Sequence, residues 1–65
     1  MKKHKFAKGK RIDSIAELED ALVNGSWVYW NDIPKHPSIL WHMHLRTLRY
    51  AITLGILYVA QEELP

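Results

Sequence analysis

The sequence predicts a small α+β domain in which two helices pack on one side of a two- or three-stranded sheet. Three observations carry this. A capping-box segment with helical spacing begins at Ser14, a second and longer helical stretch begins at Pro37, and two apolar runs without helical period, residues 27–30 and 56–60, read as strands. The order is helix, strand, helix, strand, and because two strands alone are marginal, dimerisation would complete the sheet.

Ser14-Ile15-Ala16-Glu17 has the form of a capping box, with Ser14 accepting from the Glu17 amide and the Glu17 carboxylate reaching back to the Ser14 amide. Ile15, Leu18 and Leu22 then share one helical face, and Asn24-Gly25 supplies a left-handed stop, which bounds the first helix at residues 15–24. Trp27-Val28-Tyr29-Trp30 is aromatic and β-branched, and Asn31, Asp32 and Pro34 punctuate its end. Pro37 suits the first position of a second helix, with His36 as its cap and Ser38 as the rival; Gly55 is its stop. Ile56 to Ala60 forms the second strand, closed by Gln61-Glu62-Glu63. A further strand between Lys5 and Ile12 is weakened by Gly9 and the lysines. The two main strands flank a whole helix, so parallel pairing with a right-handed crossover is the default, with antiparallel pairing as the other option.

At 100° per residue, a continuous second helix gathers Trp41, Leu45, Leu48 and Ile52 into a core stripe. Ile39, Met43, Tyr50 and Leu54 fall on a second apolar side, and a polar ridge of His42, Arg46, Arg49 and Thr53 lies between them. A helix apolar on two sides is buried on both or has a partner on one.

Charge divides the chain. Lys2, Lys3, Lys5, Lys8, Lys10 and Arg11 stand without an acid in residues 1–11, whereas residues 12–65 hold three bases and seven acids, a formal −4 inside an overall +2. The domain reading is therefore a flexible basic arm over 1–11 and an α+β body over 12–65. With 65 residues there is room for one thin core, and the 48% hydrophobic fraction marks a folding chain. Zero Cys leaves neither disulfides nor thiolate metal sites to stabilise it. No run approaches the ~20 apolar residues of a membrane span, and no apolar run follows the basic start as in a signal peptide. The expectation is a cytoplasmic protein without membrane contact.

Candidate chemistry is sparse. His42 and His44 are two apart, about 200° round a helix, where zinc-binding helices use i and i+4, and no acid lies between Pro34 and Gln61. Ser14, Ser26 and Ser38 lack a nucleophile-elbow context, and no Gly-rich phosphate cradle is present. Hence neither an enzyme, a cofactor nor a metal is expected. The residue types point to binding. Trp27, Tyr29, Trp30, Ile39, Met43 and Tyr50 are the candidate protein-partner surface, since aromatic and flexible apolar side chains dominate interface hot spots. The leading expectation is a small regulator or inhibitor of a larger protein, in the manner of a phage or mobile-element accessory protein, with a homodimer as a further option. The alternative is nucleic-acid binding. There the arm (Lys2, Lys3, Lys5, Lys8, Lys10, Arg11) and the His42, Arg46, Arg49 ridge would contact phosphates, unless that ridge pairs with Glu17, Glu19 or Asp20 instead.

Overall fold

The computed structural model describes residues 6–62 and shows the predicted α+β class. Among these residues the order is β1 (Phe6–Arg11), α1 (Ile15–Val23), β2 (Val28–Trp30), β3 (Ile33–Lys35), α2 (Pro37–Trp41), α3 (Leu45–Leu54) and β4 (Leu57–Glu62). The four strands form one sheet in the order β1-β4-β2-β3, every neighbouring pair antiparallel.

The helix termini follow the local chemistry of the sequence. Ser14 sits in extended backbone and its Oγ accepts from the Glu17 amide at 3.2 Å, while the Glu17 carboxylate accepts from the amide of Asp13, one residue earlier than a standard capping box. At the other end Gly25 takes φ +77°, with Ser26 N-H donating to Ala21 O and Gly25 N-H to Leu22 O, which is a Schellman stop. His36 caps α2 as expected, its Nδ1 accepting from the Ser38 amide at 3.1 Å ahead of Pro37. Gly55, at φ +75°, ends α3.

Four expectations are corrected. The basic segment is not a free arm over residues 6–11. It is an edge strand paired along β4 from Phe6↔Glu62 to Arg11↔Tyr58, with a bulge after Lys8, while the arm's Lys2, Lys3 and Lys5 lie outside the described residues. Second, Asn31 and Asp32 do more than end a strand. Both have positive φ, 51° and 71°, and Trp30 pairs with Ile33, so they form the two-residue turn of a β2–β3 hairpin. Pro34 is tolerated because β3 is an edge. Third, β2 and β4 pair antiparallel; the parallel expectation presupposed one crossover helix, but the intervening chain holds a third strand and two helices.

Fourth, the long second helix is broken. His44 adopts extended backbone (φ −66°, ψ 143°), so α2 stops at Trp41 and α3 restarts at Leu45. The break changes which side chains face inward. Leu40, in neither stripe of a continuous helix, is fully buried, whereas Trp41 and Leu45 are 53% and 50% exposed.

One core lies between the helices and one face of the sheet. It joins Ile12, Leu18, Ala21, Leu22, Leu40, Leu48 and Ala51 to Val28 of β2 and Leu57 of β4, with Trp30 and Val59 packed against it. Period-two alternation puts Val28, Trp30, Leu57 and Val59 on this face and Tyr29, Tyr58 and Ala60 on the other.

Two substitutions test the arrangement. Leu40→Ala should cost about 2–5 kcal/mol in denaturant unfolding, as a full truncation in a packed core does; a loss under about 1 kcal/mol would restore the continuous helix. At Gly9 an added Cβ would stand 2.8 Å from the Val59 carbonyl oxygen. Gly9→Ala should therefore destabilise by about 1–3 kcal/mol and raise amide exchange along β1.

Candidate binding surfaces

The outer face of the sheet, away from the helices, carries a layer of rings assembled by strand register. Tyr29 lies opposite Tyr58, Pro34 flanks Tyr29 on β3, and Arg11 flanks Tyr58 on β1, so one row crosses all four strands. Beside it Trp27 stacks on Phe6, centroids 5.0 Å apart, and meets the edge of His36 at 5.2 Å. The Tyr29 hydroxyl donates to the Phe6 carbonyl oxygen at 2.7 Å, tying β2 to β1 across the intervening β4. Ala60 is buried yet stands outside the helix-side core, as a small residue beneath this layer does. Phe6, Trp27, Tyr29 and Tyr58 are each half-buried.

Cations border the rings, but each has an acid beside it. Lys8 Nζ lies 4.8 Å from the centre of the Tyr58 ring and forms an ion pair with Asp32 of the hairpin turn. Arg11 bonds Asp13 at 2.8 Å, whereas Lys10, on the helix side of the same strand, approaches Glu17 of α1 at 3.6 Å. The hydrogen bond that Lys8 donates to Asp32, helped by the carboxylate's charge, holds the Lys8 pKa above the ordinary lysine range.

The helix side presents two apolar clefts. Trp30, Lys35, Ile39, Leu40 and Met43 line one of about 170 Å³. The other, about 160 Å³, runs between α1 (Ile15, Leu18, Glu19, Leu22) and the α2–α3 pair (Leu40, Trp41, Met43, Leu45, Leu48).

The six residues expected to form one protein-partner surface are thus divided among three places. Trp27 and Tyr29 are on the outer sheet face, Trp30, Ile39 and Met43 line the helix-side cleft that Lys35 and Leu40 complete, and Tyr50 stands 65% exposed on α3. The basic ridge is also divided, since His42 falls in the α2–α3 break while Arg46 and Arg49 remain on α3. The expected pairing of that ridge with the acids of α1 is not found: among the described residues Arg46 and Arg49 make no ion pair. Sequence reasoning missed Phe6, His36 and Tyr58 as members of the ring layer. Alternation within Ile56 to Ala60 separates Tyr58 from Leu57 and Val59, but only the antiparallel register sets it beside Tyr29. Among the described residues no group of three or more His, Cys, Asp or Glu could hold a metal, and no helix is long and apolar enough to cross a membrane.

The Lys8–Asp32 pair has a defined pH signature. Because the folded pKa is raised, its contribution to stability is fully present below the ordinary lysine pKa and is lost as pH rises through the raised value. In an NMR titration Lys8 should lose its proton above the ordinary lysine range, and Asp32→Asn, which suits the same positive φ, should return it towards that range. An unchanged titration in that variant would remove Asp32 as the cause.

Comparison with protein-family models, with curated proteins and with solved structures returns no match, so the surfaces are read on their own chemistry.

Proposed function

We propose that this chain is a small non-enzymatic binding protein, a regulator or inhibitor that docks on a larger cytoplasmic protein through the outer face of its sheet. One observation carries the reading: a four-stranded sheet has one face closed by helices and the other by half-buried rings, Phe6, Trp27, Tyr29 and Tyr58, interleaved with Lys8 and Arg11. Aromatic side chains with polar tips add contact area at low conformational cost and dominate interface hot spots. The paired charges favour a protein partner. With Lys8 and Arg11 each beside an acid, the face offers little net attraction to a phosphate backbone. A phage or mobile-element accessory role suits such a chain, and the proposal includes it.

A second reading rests on the same register. Because β1 brings Lys8 and Arg11 alongside Tyr58, single-stranded nucleic acid could stack on Tyr29 and Tyr58, with Lys2, Lys3 and Lys5 adding charge.

A photo-crosslinking side chain at position 58, compared with one at the helical position 53, separates the two. The protein reading expects a nuclease-resistant adduct from position 58 alone, with Tyr29→Ala weakening capture by about thirtyfold, the scale of a hot-spot truncation, and with little effect of added salt. Capture abolished by nuclease, together with oligonucleotide binding that falls steeply with salt, would replace it with the second reading.

A further inference from the structure

We infer that the groove between α1 and the α2–α3 pair is the seam of a two-fold homodimer. It lies in the helical layer, away from the ring face, and goes beyond the proposed docking function. Its walls are apolar and open: Ile15, Leu18 and Leu22 line one side, and Trp41 and Leu45 on the other are half exposed. Side chains this large are left partly in water where a folded chain reserves area for association.

The charges beside the groove say which partner fits. Glu19 lines the α1 wall, and Arg49 stands one helical turn beyond Leu45 on α3. Both are exposed, and neither makes an ion pair among the described residues. One acid and one base, both unsatisfied, thus flank one apolar groove. A two-fold interface needs a patch complementary to itself, in which residue i meets residue j and j meets i. Placing α1 of one protomer against α3 of its partner sets Glu19 against the partner's Arg49 twice over, and covers Trp41 and Leu45 in both. A foreign partner would have to reproduce both charge signs; a second copy has them already. The resulting dimer turns its two ring faces outward, so it would be bivalent for whatever binds them.

Sedimentation equilibrium of the full chain, across roughly micromolar to millimolar concentration, reads the outcome directly. The expected result is a reversible dimer, converted to monomer by Leu45→Glu with the circular dichroism spectrum unchanged. Glu19→Arg and Arg49→Glu, both at exposed positions that leave the fold intact, should each weaken association by about tenfold, and the double variant should recover it. A chain monomeric throughout that range would overturn the proposal and leave the groove to a different protein. A dimer indifferent to Leu45→Glu, or a charge swap without recovery, would also overturn it, because the seam would then lie elsewhere.

Discussion

Strand β4 is the element on which the rest of the structure depends. It is hydrogen-bonded on both sides, to β1 and to β2, so the last strand of the described chain joins the first to the middle. Its alternation supplies both layers at once. Leu57 and Val59 enter the helix-side core, while Tyr58 and Ala60 form the floor and part of the ring layer on the other face. A one-residue slip of this strand would exchange the two sets and leave neither face filled, so register here is strongly specified. The bulge after Lys8 and the bare Cα of Gly9, which passes close to the Val59 carbonyl, accommodate β1 to that fixed register.

The two faces are closed by different chemistry. Aliphatic side chains from all three helices cover the inner one, and no buried polar side chain intrudes on it among the described residues. The outer one is covered by rings that pack edge and face on one another and stay half in water. Such a layer protects the sheet while keeping a binding surface available, which a third layer of helices would remove. The charges of β1 fit the same arrangement. Lysines on an exposed edge strand discourage strand-to-strand aggregation, and their pairing with Asp32 and Glu17 anchors that edge to the hairpin turn and to α1. Individually those exposed pairs contribute little stability. Their larger effect is on what the surface attracts.

On the helical side, the break at residues 42–44 decides what is inside and what is left out. A straight helix from Pro37 to Leu54 would have turned Trp41 toward the core and Leu40 toward its flank; the break reverses them. The burial of a compact leucine in place of a tryptophan suits a core this thin, and it leaves the larger ring at the rim of a groove.

Much of the local structure was legible in the residues. The Ser14 cap, the Asn24-Gly25 and Gly55 stops and the His36-Pro37 start are all satisfied by atoms within a few positions, so residue type and spacing specify them. The α+β class and the two apolar strands followed from period in the same way. The hairpin at Asn31-Asp32 was local too, but an Asn-Asp pair followed by proline reads equally as the end of a strand, and only the pairing of Trp30 with Ile33 turns it into a hairpin. Tertiary structure alone decided three things: that residues 6–11 join the sheet, that the second helix breaks at a His-Met-His stretch with no breaker residue, and that Tyr58, Tyr29, Trp27 and Phe6 share one face. Each depends on which strands are neighbours and which side of a helix meets the sheet. Those choices are set by burial shared among residues distant in the chain, where local propensity is too weak to prevail.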